Sequence, residues 1–238
     1  KWVVGTTSIV RVIPEAAPKP RKEEIDCILS TASLYMDLAH TYDDILSVFA
    51  GQRPLAAPKK EGKSTKELSR GHKIIVSDNN MVTITGGKWT SYRRMAEDTV
   101  DRAISLGLVG EKKCVTKKLR IHGYRPNPDL TDHMYVYGSD EDKVLALVKE
   151  NPAYGEKISD KYEYIAAEVI WAVREEMARN VEDVLARRVR LLFVDAREAA
   201  KAAPKVAELI AAELGYDKKW IEEQVKYFTE LASNYYLK

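Results

Sequence analysis

Cysteine is scarce: Cys27 and Cys114 are the only two in 238 residues, and they lack CxxC spacing. Two such thiols cannot staple a fold, so free thiols in a reducing compartment are the expectation. Long apolar runs are missing as well. No stretch approaches the roughly 20 residues needed to span a bilayer, and no signal peptide is legible. An excess of one charge is absent, because 38 basic and 36 acidic residues leave a net charge of +2. That balance argues for no particular partner. The four histidines, His40, His72, His122 and His133, show no metal-ligand spacing, so no metal is expected. Neither GxGxxG nor the Walker spacing occurs, which excludes a self-contained dinucleotide-binding unit and a P-loop. What remains is a globular composition, 45% hydrophobic and 31% charged, sufficient for one large core or two modest ones.

The stretch around which the rest is organised runs from Met81 to Ile104 and changes hydrophobic period midway. Val82 and Ile84 are β-branched and strand-like. After Thr90 the apolar positions Tyr92, Met95, Ala96, Val100, Ala103 and Ile104 follow one helix face. Between strand and helix stand Gly86, Gly87 and Lys88. Two glycines permit positive φ and close approach of another molecule to the backbone. The first N–H groups of the helix carry the positive end of its dipole, Lys88 adds a full charge and Thr90 offers an N-cap hydroxyl. Such a turn suits an electron-rich ligand. It equally suits a plain strand-to-helix turn with a solvated lysine.

Three stretches carry a family resemblance: TITGGKWTSYRRMAEDTVDRA (83–103), FAGQRPLAAP (49–58) and LARRVRLLFVDAREAAKAAPKVAELIAAELG (185–215). In that order along the chain they resemble the FAD-dependent glycerol-3-phosphate dehydrogenases and the related α-glycerophosphate oxidases. The resemblance implies that the chain, opening at Lys1-Trp2-Val3-Val4 without an initiator methionine, is the C-terminal part of a longer protein whose FAD-binding GxGxxG region is absent here. It implies oxidation of sn-glycerol 3-phosphate to dihydroxyacetone phosphate with reduction of FAD, and an electron acceptor that is a quinone or oxygen. Arg53, Arg70 and Lys88 match the family's substrate-binding cations. Gly86, Gly87, Lys88, Trp89 and Thr90 match its cofactor-binding turn, with the Trp89 side chain assigned to packing and only its backbone to the cofactor. No general base is assignable, and the catalytic residue is expected in the missing part. His72 reads as a surface histidine on a strand. Where the family usually reads GTTD, this chain has Ser8 in place of the aspartate, which puts any role of that carboxylate in doubt. The expected location is cytoplasmic, with peripheral attachment to the inner face of the membrane allowed, and a homodimer is among the assemblies it allows. The fragment alone is expected to be inactive and not to hold FAD. Two other classes stay open: a related FAD-dependent amine or amino-acid oxidase, and a non-catalytic helical interaction module.

The expected fold is α+β. Residues 1–124 form the remnant of an FAD/substrate domain with a partly antiparallel sheet, and residues 125–238 form an all-helical bundle, the boundary falling at Arg125-Pro126-Asn127-Pro128. Val3 to Thr7 and Ile45 to Ala50 read as strands, with a helix from Glu23 that covers a sheet. Strands Lys73–Val76 and Val82–Thr85 join through Asp78-Asn79-Asn80. Pro54 biases Arg53 toward an extended conformation, from which its planar fork can address a phosphate or carboxylate; a surface arginine in a turn is the plain alternative. The basic run Lys112 to Arg120 reads as a short exposed strand; it lacks aromatic interleaving, so nucleic acid is not expected. Beyond Pro128, about five helices are predicted, with Asn180, Asp195 and Asp217 as N-caps and Gly215 as a C-cap. Within them Val181 to Phe193 is read as one helix. Arg187, Arg188, Arg190 and Arg197 read as ion-paired, with a docking face as the competing reading.

Overall fold

The computed structural model describes residues 3–7, 15, 17–52 and 71–237. Arg53, Arg70 and Ser8 lie outside the described residues. The fold is α+β, with one two-stranded antiparallel sheet and eight α-helices among the described residues. It packs into two compact units: residues 3–7 and 17–51 cluster with 122–237, and residues 15, 52 and 71–121 form the other. The units divide at 121/122, and residues 17–51 group with the helices.

The smaller unit is a hairpin followed by a helix. Strand β1 (His72–Val76) pairs antiparallel with β2 (Val82–Gly86), with Val76 opposite Val82, Ile74 opposite Ile84 and His72 opposite Gly86. The loop closes through Ser77 N–H to the Met81 carbonyl (3.0 Å) and Asn80 N–H to the Ser77 carbonyl (2.9 Å). Asn80 takes a left-handed φ of 64°, a conformation Asn tolerates better than most residues. Helix α2 (Tyr92–Ser105) follows. The segment after it is irregular where a strand was expected over 112–120. Its polar side chains turn to α2 instead: Lys117 reaches Glu97 at 3.6 Å and Thr116 accepts from Arg93 at 3.2 Å. Every buried apolar residue among the described residues lies in the other unit, so the hairpin and α2 keep Ile75, Ile84, Trp89, Tyr92 and Val100 exposed.

The larger unit holds α1 (Lys22–Ala32), then α3 (Glu141–Glu150), α4 (Ala166–Arg174), α5 (Val181–Leu185), α6 (Leu191–Val194), α7 (Ala196–Leu214) and α8 (Lys218–Ala232). Helix α1 does not cover a sheet: within its own unit the described residues form only the isolated bridge Lys157–Ile165, and Ile25 is its one buried side chain. Val3 to Thr7 are irregular, and among the described residues no strand lies beside them to supply a ladder. Ile45 to Ala50 are likewise not a strand; their hydrogen bonds go to helix ends. In α7, Ala199, Ala202, Ala203, Val206, Ala207 and Ile210 are all buried at helical spacing. Small side chains there let α4 and α8 approach closely, and Phe228 of α8 is fully buried. The helix continues through Pro204 and ends at Gly215, where φ is 72°.

The N-caps form as expected. Asn180, Asp195 and Asp217 accept the N–H groups of Asp183 (2.8 Å), Glu198 (3.2 Å) and Trp220 (2.8 Å). The single helix expected over Val181–Phe193 is broken, because Arg190 adopts φ 58° and starts a new turn. The Arg188 guanidinium stabilises the break by donating to the carbonyls of Asp183 and Glu176, oxygens that lack helical donors at such an end. Arg187 pairs with Glu182 (2.6 Å) and Asp183 (3.0 Å), in line with the ion-paired reading. Arg197 instead lies 4.7 Å over the Tyr236 ring and donates to the Leu237 carbonyl.

Candidate functional site

The β2–α2 connection is a tight reversal made by two left-handed glycines, Gly86 at φ 74° and Gly87 at φ 85°. An L-residue pays about 1–2 kcal/mol for such a φ. Space adds a second reason at Gly87. A Cβ there would stand 2.6 Å from the Met95 sulfur and 3.2 Å from the Cβ of His72. The backbone therefore lies flat against α2 and β1, with nothing projecting from the turn until Lys88.

Lys88 is extended (φ −108°, ψ 143°) and precedes a single 3₁₀ turn, Trp89–Ser91, which leads into α2. Ser91 closes this turn by donating both its N–H (2.9 Å) and its hydroxyl (2.8 Å) to the Lys88 carbonyl. The cap differs from the expected one. Thr90 sits inside the 3₁₀ turn, and neither Lys88 nor Ser91 gives a side-chain cap. No side-chain oxygen caps this start; the Ser91 and Tyr92 N–H groups turn back to the Lys88 and Trp89 carbonyls, and by helix geometry it is the N–H groups at the front of the 3₁₀ turn that have no intrahelical acceptor. Lys88 is exposed and meets no carboxylate among the described residues. Trp89 is 86% exposed, and its packing is confined to a stack on Tyr92, with ring centroids 5.7 Å apart and planes at 27°. Beside it runs an open groove of about 580 Å³, floored by Gly86 and Gly87 and walled by Ile84, Tyr92, Met95 and Val100.

The turn is braced from behind. His72, expected to be a surface histidine on a strand, lies on β1 but is half-buried, with Nε2 3.0 Å from an Asp98 oxygen, tying β1 to α2. Asp98 also pairs with Arg94 at 2.9 Å. Glu97, the buried carboxylate of α2, accepts from Arg93 (2.9 Å) and Arg94 (3.2 Å). The Arg93 hydrogen bond holds the Glu97 carboxyl below its usual range. Both arginines are thereby committed to α2, which leaves Lys88 as the cation presented at the turn.

The structure brings Gly86, Gly87, Lys88, Trp89 and Thr90 together on one connection. Arg53 and Arg70 lie outside the described residues, so no geometry joins them to it. Sequence reading missed the His72–Asp98 pair and Met95 beneath Gly87. It also missed Glu168, a carboxylate 1% exposed that accepts from the Ile165 N–H (2.7 Å) and the Tyr137 hydroxyl (3.0 Å) and faces His133 Nε2 at 3.2 Å. That contact raises the His133 pKa. An acidic residue inside the apolar run Ile165–Val173 was the available signal. These groups are fully engaged with one another and hold α4 to the turn before α3. No helix among the described residues is long and apolar enough to cross a membrane.

Comparison with known proteins gives the same direction throughout. Residues 80–221 match the family model described as the C-terminal domain of alpha-glycerophosphate oxidase. The chain is 34% identical to the mitochondrial glycerol-3-phosphate dehydrogenase SDP6 of Arabidopsis thaliana, over 95% of this chain and 40% of that protein. It is 32% identical to a probable mitochondrial glycerol-3-phosphate dehydrogenase of Dictyostelium discoideum, over 99% of this chain and again 40% of that one. Among solved structures, the glycerol-3-phosphate dehydrogenase of Bacillus halodurans, complexed with FAD, superposes with a TM-score of 0.68 at 26% identity. That superposition covers 92% of this chain and 46% of the other. The chain therefore spans about two fifths of the length of the curated relatives it matches.

Proposed function

We propose, from the premise that the chain belongs to the family of the alpha-glycerophosphate oxidase C-terminal domain, that it is the C-terminal part of an FAD-dependent glycerol-3-phosphate dehydrogenase. The parent enzyme oxidises sn-glycerol 3-phosphate to dihydroxyacetone phosphate and passes the electrons to a quinone or to oxygen. It acts in the mitochondrion, as the names of the two relatives above have it, or in the cytoplasm at the inner face of a membrane. Its two functional parts divide near Tyr124 and Arg125. The observation that carries this reading is the turn itself. Gly86 and Gly87, both at positive φ, end a strand against an uncapped helix start, within a region matched to the family.

The residues fit the cofactor. When bound, FAD supplies the acceptor for the hydride equivalent leaving the alcohol carbon. The flat Gly86–Gly87 backbone permits close approach of a planar ring, and Met95 fills the space behind it. The N–H groups from Gly87 to Thr90 would stabilise negative charge gathering on the pyrimidine edge of the ring, together with Lys88. Arg53 and Arg70 would hold the substrate phosphate, Arg53 by the paired donors of its guanidinium.

Steady-state kinetics of the full-length enzyme tests the assignment. Arg53→Ala should raise KM for glycerol 3-phosphate by about 2–3 kcal/mol, the worth of a lost charge-assisted contact. Arg53→Lys should recover only part. Lys88→Ala should also lower kcat, since it removes charge beside the ring where the transition state becomes negative. Preference for an amine or amino acid across a substrate panel scored by flavin bleaching would replace the phosphate reading with the oxidase one.

A further inference from the structure

Gly86 and Gly87 shape the turn, but two adjacent glycines at φ 74° and 85° carry no side chain that would hold it there. Glycine loses more backbone freedom on ordering than any other residue, so one conformation has to be fixed from outside. The surrounding unit has no apolar core for that purpose, since among the described residues none of the apolar side chains of 71–121 is buried. Behind the turn stands a polar tie instead. His72 lies opposite Gly86 in the hairpin register, and its Cβ, with Met95, closes the space behind Gly87. Its Nε2 is 3.0 Å from an Asp98 oxygen, and because a carboxylate only accepts, the ring nitrogen donates. Asp98 follows Met95 by three residues, which puts both on the face of α2 that backs the turn. Its second oxygen accepts from Arg94 at 2.9 Å, which steadies the carboxylate on the helix. The His72–Asp98 pair thus joins β1 to α2 across the connection between β2 and α2, with side-chain exposures of 21% and 25%.

We propose that His72 and Asp98 are positioning residues for the cofactor: by tying β1 to α2 they aim the Gly87–Thr90 N–H groups, and through that aim they set the reduction potential of bound FAD. The proposal rests on the reading of this turn as the one that faces the flavin ring. Neither side chain touches the ligand. The argument is one of angle. A hydrogen bond weakens steeply as its donor turns away from its acceptor, and donors aimed in advance at developing charge need no reorganisation when that charge appears. Reduction places negative charge on the ring edge assigned to these N–H groups. Misalignment therefore weakens binding of the reduced cofactor more than binding of the oxidised one. Lys88 acts at the same edge as a point charge and depends less on angle.

The test uses the full-length holoenzyme, with the FAD potential read by dye-equilibrated reductive titration and Kd for oxidised FAD read by flavin fluorescence. His72→Leu should lower the potential by about 30 mV, a roughly tenfold loss of affinity for the reduced relative to the oxidised cofactor, with Kd for oxidised FAD changed by less than about threefold. His72→Gln, whose amide nitrogen takes the place of Nε2 as donor, should keep the wild-type potential. Asp98→Ala removes the same tie from a partly exposed helix position and stands in should His72→Leu fail to fold. It should shift the potential equally, and His72→Leu/Asp98→Ala should shift it no further than either alone. Lys88→Ala is the reference, because it removes charge at the turn itself and should also lower the potential. If Lys88→Ala lowers it and neither His72→Leu nor Asp98→Ala does, the positioning proposal alone is overturned. Shifts that add in the double variant, a His72→Gln shift as large as that of His72→Leu, or a lowered melting temperature with unchanged potential overturn it too. If Lys88→Ala leaves the potential unchanged, the turn does not face the flavin, and the positioning proposal falls with that reading.

Discussion

Asp195 joins α6 to α7 and is 2% exposed. One carboxylate oxygen caps α7 by accepting the Glu198 N–H at 3.2 Å; the other accepts from Lys161 at 2.6 Å and the Tyr162 hydroxyl at 3.1 Å. Replacement by Ala removes three partners with unequal consequences. The cap is worth about 1 kcal/mol. The Tyr162 hydroxyl loses a charged acceptor, worth about 1.5–3 kcal/mol. Lys161 is half-exposed and returns to water, so its loss adds little. Asp195→Ala should therefore destabilise the helical unit by about 3 kcal/mol. Asp195→Asn keeps a capping oxygen and should cost only about 1 kcal/mol. Burial pushes the Asp195 pKa up, but the Lys161 and Glu198 hydrogen bonds outweigh it, and the net shift is downward from 3.8. A depressed carboxylate contributes stability that is present above its unfolded pKa and lost as pH falls through the folded value. Asp195→Asn should thus show a smaller acid-side loss of stability than the wild type, the remainder coming from other depressed carboxylates such as Glu198 and Glu213. Urea denaturation followed by far-ultraviolet circular dichroism, repeated from neutral to acid pH, measures both effects. A cost below about 0.5 kcal/mol for Asp195→Ala, the range of ordinary surface substitutions, would refute the reasoning.

Gly87→Ala should destabilise the full-length enzyme by at least the roughly 1–2 kcal/mol of a left-handed L-residue. Met95→Ala in the same protein should relieve the 2.6 Å contact but not the φ penalty; thermal melting of the four proteins of that cycle measures the split, and a fully neutral Gly87→Ala would remove the steric account. The chain alone, titrated with FAD and dialysed, should stay colourless, since the GxGxxG unit that binds most of the cofactor is not in it; a stoichiometric yellow complex would contradict this. Limited proteolysis should cut first between Ile121 and Pro128, where the compact units and the sequence-defined parts both divide; a first cut inside α7 would count against that division.

The elements legible in the sequence are those whose cause is local. Three helix caps form because an Asn or Asp side chain needs only the N–H two or three residues on, whatever the rest of the chain does. The 72–86 hairpin forms because β-branched runs flank a loop that Asn80 can close at positive φ. The misreadings share the opposite cause. Ile45-Leu46-Ser47-Val48-Phe49 has the composition of a strand, but its long-range partners are helix ends 145 or more residues away, which no local pattern announces. Val181–Phe193 has one continuous apolar period, yet Arg188 finds the Glu176 and Asp183 carbonyls and makes a break affordable at Arg190. The site divides along the same line. Its glycines, Lys88 and the helix start are contiguous, so the turn could be read from ten residues. His72 and Asp98, 26 residues apart, meet only once the hairpin has folded back on α2. What a sequence displays of a binding site is the part built by consecutive backbone, whereas the bracing that holds it is a property of register and packing.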